Sequence, residues 1–326
     1  MFPLLGAVIF AGEPGSMAIV VIVQHEIFRQ KWATALQAQD PGLPVSVYPE
    51  VTDSGAVDFA LAWRPPQGVF NRFPNLKVIA SAGAGVDHIL KDPDISPEIT
   101  ITRVVDRQLT HDMTSYLIAQ VYGYLRNLPG YHDLQRQEKW QPGKYLMERQ
   151  ARIGIMGMGV LGQDAALKLR QLGFPVKGWS RSPKEVAGIE VLAGEARLKE
   201  FLQHTDVLIC LLPLTAKTRN ILNRQTFQAL PGGAFVINVA RGEHLVEEDL
   251  LAALESGHLA GACLDVFREE PLPQGHPFWR HPNIIITPHV ASITSPESVA
   301  PQIVANYHRL QRGEPLQNVV SRQAGY

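Results

Sequence analysis

Ile153-Gly154-Ile155-Met156-Gly157-Met158-Gly159-Val160-Leu161-Gly162 is the stretch on which the reading of this chain turns. Ile153–Met156 is a short apolar run of strand type, and the glycines follow it without a break. Leu161, Ala165, Leu169 and Leu172 then recur at helical spacing, and Gly173 supplies the stop. A strand, a G-x-G-x-x-G turn and a helix, in that order, suit a dinucleotide. Gly157 makes the tight turn, Gly159 lets the backbone approach a pyrophosphate, and Gly162 allows the helix to pack closely on the strand. Val160 and Leu161 lie between them at the helix N-terminus, whose N–H groups face anionic phosphates. An ordinary βα turn is the alternative.

The next strand bears on which dinucleotide is held. It ends Gly178-Trp179-Ser180-Arg181-Ser182-Pro183-Lys184, with no acid before Glu185. A carboxylate at this place would bind a ribose 2′-hydroxyl and repel a 2′-phosphate. Ser180, Arg181, Ser182 and Lys184 instead offer hydroxyls and cations, which favour a 2′-phosphate. The expected cofactor is NADP(H), with NAD(H) as the alternative. A solvated basic turn with no ligand is the bland reading.

Working outward, short β-branched runs alternate with helical patterns along the whole chain. Ile19–Val23, Val45–Tyr48, Phe59–Ala62 and Lys77–Ala80 form one series. Arg152–Met156, Val176–Ser180, Val207–Leu211, Ala234–Asn238, Gly261–Asp265 and Asn283–Thr287 form a second, whose six strands match a doubly wound dinucleotide fold. The class is α/β, with parallel sheets carrying helices on both faces. A long helical stretch from about Leu109 to Leu128, stopped by Pro129-Gly130, separates the two series. The expected domains are 17–117 plus 293–326, and 118–292; the tail, with a helical pattern near Pro301–Arg312, is too short to stand alone and returns to the first. Residues 1–16 read as an extension outside the fold: no Lys or Arg precedes Arg29, so the basic start of a signal peptide is missing.

Composition narrows the function. The 326 residues hold 30 Lys+Arg against 31 Asp+Glu, a net charge of −1, which gives no drive for binding nucleic acid or an anionic membrane. No apolar run approaches the ~20 residues of a bilayer span. Cys210 and Cys263 sit in apolar runs with no CxxC pair, so neither a disulfide framework nor a metal site is expected, and a cytoplasmic location fits.

Three segments place polar residues just past a strand, at the edge where doubly wound folds bind ligands. They are Asn238-Val239-Ala240-Arg241-Gly242, Leu264-Asp265-Val266-Phe267-Arg268-Glu269-Glu270-Pro271 and Thr287-Pro288-His289-Val290-Ala291. An Arg, a Glu and a His are thereby expected over the nicotinamide, with Val239 and Ala240 beside the cofactor. Of eleven histidines, His289 stands out by its place after the sixth strand. In the first series, Gly83-Ala84-Gly85 follows a strand, and its small residues suit an anion-binding nest of backbone N–H groups; a simple tight turn is the alternative.

Together with Gly157–Gly162, Ser81–Asp87 and the Leu109/Met113 helix, these segments resemble the D-isomer-specific 2-hydroxyacid dehydrogenase family. Within it, Trp63-Arg64-Pro65-Pro66, Trp179-Ser180-Arg181 and Leu272–Trp279 are most similar to the bacterial glyoxylate/hydroxypyruvate reductases, a subgroup that generally prefers NADPH. The resemblance covers residues 17 to 326. It implies two doubly wound parallel-sheet (Rossmann-like) domains, the first flavodoxin-like and substrate-binding, with the active site in the cleft between them. Arg241 would orient and polarise a small 2-oxo acid, and His289 would donate a proton to its carbonyl oxygen as hydride arrives. Glu270, the glutamate immediately before proline, would pair with His289 and favour its cationic form; Glu269 is the adjacent decoy. Ala84 and Gly85 would bind the substrate carboxylate, and Trp63 would wall the pocket, although a Trp after a strand also suits a core. Leu212, Pro213 and Thr218 would lie along the cofactor ribose. Asp265 would face the nicotinamide carboxamide, with buried strand-end capping as its alternative. A homodimer through Leu128–Trp140 is implied as well, Tyr131 and Trp140 packing within their own subunit being the other reading.

The activity so implied is NADPH-dependent reduction of glyoxylate to glycolate and of hydroxypyruvate to D-glycerate. A broader 2-ketoacid reductase and an NAD-dependent D-2-hydroxyacid dehydrogenase are alternatives within enzymes. A dinucleotide-sensing binding protein is the alternative of another class, since fold alone does not fix function.

Overall fold

In a computed structural model the residues described are 18–143 and 145–325. They form two compact units, one running to Asp106 and resuming at Thr294, the other Arg107–Ile293. The extension 1–16 and Met17 lie outside the described residues.

The first unit holds β1 (Ala18–Val23), α1 (Glu26–Gln39), β2 (Val45–Val47), β3 (Val57–Trp63), β4 (Val78–Ser81), α2 (Asp87–Leu90) and β5 (Thr100–Thr102). Its five strands are all parallel, in the order β2-β1-β3-β4-β5. Every residue of β1, Ala-Ile-Val-Val-Ile-Val, is buried, as a strand covered on both faces must be. Val20, Ile22, Ala60, Ala62 and Ile79 pack with Phe70, Phe73 and Ile89. Phe59, alternating to the opposite face, meets the Tyr307 ring edge-on. β5 escapes a reading by periodicity because Thr-Ile-Thr offers one apolar side chain. Its edge is covered from the C-terminal segment, where Val320 donates to the Ile101 carbonyl.

The second unit opens with α3 (Arg107–Leu125) and α4 (Leu128–Arg136). There follow β6 (Ile153–Met156), α5 (Val160–Gln171), β7 (Val176–Ser180), β8 (Glu190–Ala193), α6 (Leu198–Gln203) and β9 (Val207–Cys210). The unit closes with α7 (Arg224–Ala229), β10 (Ala234–Asn238), α8 (Glu247–Glu255), β11 (Leu259–Leu264) and β12 (Ile284–Ile286). Its strands are all parallel in the order β12-β11-β10-β9-β6-β7-β8. Alternate strand residues feed two cores: Ile153, Ile155 and Ile209 join α3 and α5, whereas Met156, Leu208 and Val236 join Phe201, Phe227 and Leu250. The strand order reverses between β6 and β9, which opens a crevice beyond their carboxyl ends. All of α3 goes with this unit because Met113, Leu117, Val121 and Leu125 pack with Ala165 and Leu169.

Three details differ from the reading of the sequence. The sheet has seven strands rather than six, because β8 is a four-residue edge strand, Glu-Val-Leu-Ala, with only Leu192 fully buried, too short for its pattern to stand out. Pro129-Gly130 does not stop the long helix. It lies inside α4, where proline is tolerated in the first turn, and the break falls at Asn127 with φ 51°. The last helix, α9 (Pro296–Gln311), starts at Pro296 and carries Pro301 on an exposed position within it. Its buried Val299, Ile303 and Tyr307 hold it in place despite the missing donor. No helix among the described residues is long and apolar enough to cross a membrane.

Candidate active site

The three glycines of the 157–162 loop do different work. Gly157 has φ +105°, and a Cβ there would lie 2.6 Å from the Leu211 carbonyl oxygen. At Gly162 a Cβ would come within 1.9 Å of the Gly157 carbonyl. The fold itself demands both. Gly159 is different: its backbone is unstrained, and a Cβ would meet nothing within 4 Å. Its missing side chain leaves open space at the N-terminus of α5, where the first-turn N–H groups of Val160, Leu161 and Gly162 have no intrahelical acceptor. That is the cradle a pyrophosphate needs, so the loop fits a dinucleotide.

At the end of β7 the basic turn is tied back to this loop. Lys184 Nζ donates to the Met158 carbonyl (2.9 Å), and Trp179 Nε1 donates to the Gly194 carbonyl (3.0 Å). Ser180 is buried and gives its hydroxyl proton to the Ser182 carbonyl (2.7 Å), so it shapes the turn. Arg181 is exposed beside them. A cationic rim without a carboxylate, next to the glycine loop, suits the 2′-phosphate of NADP(H).

The loop after β10 is folded by a buried amide. Asn238 accepts from the Ala240 N–H (3.2 Å) and donates to the Arg241 carbonyl (3.0 Å). Arg241 Nη1 donates to the Ala240 carbonyl (2.7 Å). Val239 and Ala240 are buried beneath. Gly242 lets this loop touch the next one, since a Cβ there would fall 1.9 Å from the Phe267 carbonyl carbon. Beyond β9, Leu212 is buried and Thr218 Oγ donates to the Pro213 carbonyl (2.6 Å).

Glu270 and His289 meet: Oε2 lies 2.8 Å from Nδ1. The other oxygen, Oε1, accepts from the Phe267 N–H (3.0 Å), which fixes the carboxylate. With Nδ1 turned to Glu270, Nε2 is the ring nitrogen left to act on a substrate. His289 adopts φ 56°, uncommon for a side chain other than glycine, and its N–H donates to the Asp265 carbonyl (2.9 Å). Asp265 builds the loop that allows this. Its buried carboxylate accepts from Thr287 Oγ (2.6 Å), the Val290 N–H (2.9 Å) and the Ala291 N–H (2.9 Å). Tyr116 on α3 in turn donates to Thr287 Oγ (2.6 Å), and burial raises the Tyr116 pKa. Cys263 beside Tyr116 is pushed up to about 12 by burial, so it stays a thiol.

In the first unit, Trp63 closes β3 half-buried, with its ring over the turn after β4: a Cβ on Gly83 would fall 2.5 Å from it. Ser81 Oγ donates to the Gly85 carbonyl (2.7 Å) and holds the turn, leaving Ala84 and Gly85 half-exposed.

Asn238, His244, Tyr116 and Thr287 shape the site without appearing among the residues picked from sequence for a role in it. Asn238 ends β10 and Thr287 directly follows β12, and a polar residue at the end of an apolar strand is their signal. Nothing local marks Tyr116, whose partner lies 171 positions away.

Fold and site together define a dinucleotide-binding α/β protein with an Arg and a Glu–His pair at the carboxyl edge of one sheet. Residues 118–291 match the family described as D-isomer specific 2-hydroxyacid dehydrogenase, NAD binding domain. Glyoxylate/hydroxypyruvate reductase A of Serratia proteamaculans is 42% identical over 94% of this chain and 99% of its own. Among solved structures, a D-isomer specific 2-hydroxyacid dehydrogenase from Xanthobacter autotrophicus Py2, in complex with NADPH and MES, superposes with TM-score 0.91 at 41% identity, covering 95% and 100% of the two chains. The NADPH-dependent glyoxylate/hydroxypyruvate reductase of Sinorhizobium meliloti, in complex with NADP and sulfate, gives 0.89 at 38% identity, covering 95% and 100%. The chain belongs to the D-isomer specific 2-hydroxyacid dehydrogenase family.

Proposed function

We propose that this protein reduces small 2-oxo acids with NADPH, converting glyoxylate to glycolate and hydroxypyruvate to D-glycerate. The observation that carries the reading is the Glu270–His289 pair, held by fixed loops at the sheet edge that also carries the glycine cradle and the basic turn. The Serratia and Sinorhizobium relatives are named for these two substrates, and the structures cited hold NADPH or NADP. When bound, the dinucleotide supplies the hydride to the carbonyl carbon. The chain supplies the rest. Arg241 draws electron density onto the carbonyl oxygen and orients the acid. Glu270 stabilises the His289 imidazolium, whose Nε2–H gives its proton to that oxygen. Val160, Leu161 and Gly162 offer N–H groups to the pyrophosphate, with Leu212, Pro213, Thr218, Val239 and Ala240 along the ribose and nicotinamide. Arg181, with Lys184 and Ser182, faces the 2′-phosphate. On the first unit, the Ala84–Gly85 turn offers recognition of a carboxylate, and Trp63 limits substituent size.

The experiment is a pair of steady-state series with glyoxylate and hydroxypyruvate, NADPH against NADH, followed by chiral analysis of the glycerate. Expected are D-glycerate and a lower KM for NADPH. Arg181→Ala should raise that KM by roughly 10- to 100-fold, the worth of about 1.5–3 kcal/mol for a charged hydrogen bond, with NADH unchanged. L-glycerate, or an NADPH preference untouched in the variant, would contradict the reading.

In this reading the enzyme is a cytoplasmic homodimer. α4 buries none of its residues, and Trp140, Leu128 and Tyr145 expose large apolar surfaces close by in sequence. Two buried free cysteines suit a reducing compartment. Light scattering should give twice the 36.0 kDa chain mass.

A further inference from the structure

One buried histidine stands outside the mechanism. His244 follows Arg241 by three residues, in a short 3₁₀ turn (Gly242–His244), and is fully buried. The Arg241 N–H points to its Nδ1 (3.2 Å), while Nε2 lies 3.3 Å from the Pro213 carbonyl oxygen. A carbonyl only accepts, so Nε2 carries a proton and donates to it. Nδ1 of the neutral ring then has the lone pair that the Arg241 N–H requires. Nδ1 also lies 3.1 Å from the Arg241 carbonyl oxygen, but that oxygen already accepts from Asn238 Nδ2 (3.0 Å). The neutral Nε2–H tautomer therefore meets the Pro213 and Arg241 N–H contacts together, and burial lowers the His244 pKa, which favours the neutral ring.

The two groups so joined belong to different parts of the site. Arg241 is the substrate arginine, and Pro213 opens the segment beside the cofactor, where its carbonyl also accepts from Thr218 Oγ. The same two segments are stitched along their backbones. Asn220 donates to the Glu243 carbonyl (2.9 Å), Leu222 to the His244 carbonyl (2.9 Å) and Val246 to the Leu222 carbonyl (2.9 Å). His244 adds a side-chain link between them.

The geometry points to His244 as a positioning residue that couples the substrate arginine to the cofactor-side Pro213–Thr218 segment through a fixed Nε2–H tautomer. This rests on the function proposed above. Its two ring nitrogens have separate tasks, and separate amides imitate them. In His244→Gln the amide nitrogen reaches where Nε2 stood and keeps the Pro213 bond, while the Arg241 contact is lost. In His244→Asn the amide oxygen takes the place of Nδ1 and keeps the Arg241 N–H, while the Pro213 bond is lost.

The test measures KM for glyoxylate, and the NADPH dissociation constant from nucleotide fluorescence, for wild type and both variants, alongside their melting temperatures. Nitrogen-15 histidine spectra of the wild-type protein without nucleotide, with the His244 signal assigned by its loss in His244→Gln, read the tautomer directly. The expected pattern is crossed. His244→Gln keeps NADPH affinity and raises the glyoxylate KM by roughly tenfold, the worth of one buried hydrogen bond. His244→Asn keeps the glyoxylate KM and weakens NADPH by a similar factor, and the spectra show neutral Nε2–H at pH 7. The inference fails if both constants stay at wild-type values, if both shift together in step with melting temperature, or if the ring is cationic or Nδ1–H. Absence of wild-type turnover would instead strike the proposed function, while the tautomer and NADPH binding would still report on His244.

Discussion

Asp265 in one unit and Asp58 in the other are both buried, and they live by opposite rules. Asp265 stands at the carboxyl end of a strand, where it accepts three hydrogen bonds, two of them from backbone N–H groups of the His289 loop. Asp58 stands near the amino end of β3, equally buried, and neither carboxyl oxygen accepts a hydrogen bond among the described residues. Burial pushes its pKa up to about 6, only partly offset by the Lys77 charge and by the nearby backbone N–H groups of Asp58 and Ala18. The first carboxylate is a template on which a catalytic loop is folded. The second is a group the fold tolerates at a cost. A buried charge is thus informative here only through its partners, and the partners lie where the chemistry is.

The contrast can be broken most severely at Asp265. Asp265→Asn presents an NH₂ to a pocket lined by donors, so at least one backbone N–H loses its acceptor. Misplacing His289 by an ångström should lower kcat about 100-fold, with NADPH binding, measured by fluorescence titration, nearly unchanged. An active Asp265→Asn enzyme would remove the template role.

Asp58→Asn should act in the opposite direction. The folded carboxyl titrates higher than the unfolded one, so the folded state holds its proton while the unfolded chain has lost it. Wild-type stability is therefore complete below pH 3.8 and declines as pH rises through the window from 3.8 to about 6. The decline amounts to about 3 kcal/mol for a shift of this size. Urea titrations from pH 4 to 8 should find the variant gaining on wild type across that window and holding its advantage above it. A variant less stable than wild type at pH 7 would mean that Asp58 has a partner after all.

The smallest effect sharpens the comparison rather than breaking it. Thr287→Val removes one of the three bonds to Asp265 and the acceptor of Tyr116 while leaving both backbone bonds. A loss of about 1 kcal/mol, seen as a fewfold fall in kcat, is expected. A fall as large as that of Asp265→Asn would shift the template role from the backbone bonds to the hydroxyl.

What could be read from sequence follows the same division. Strands β1 and β6 announce themselves as apolar runs, and the glycine loop is legible because its meaning is local: a strand before, a helix after, three glycines between. Edge strands β5 and β8 are not legible, since they are short and bury few side chains. The choice of Glu270 over Glu269 came from the family resemblance. The physical distinction, one oxygen on His289 and the other on the Phe267 N–H, exists only once the loop is folded. His244 and Tyr116 lie beyond sequence reasoning for the same cause: their partners are 31 and 171 positions away, and nothing in the residue type foretells which carbonyl or hydroxyl they will reach. The family resemblance places Asp265 at the nicotinamide carboxamide, with strand-end capping as the alternative; in the folded chain its carboxylate is committed to the His289 loop.

The most direct test of the account is the initial rate of NADPH oxidation with glyoxylate and hydroxypyruvate, compared between wild type and His289→Ala. The prediction is turnover by the wild type and a loss of about 10²–10⁴-fold in kcat for the variant, with NADPH still bound. A variant that turns over as the wild type does would show that the proton comes from another group, and the site described here would not be the one that performs the reaction.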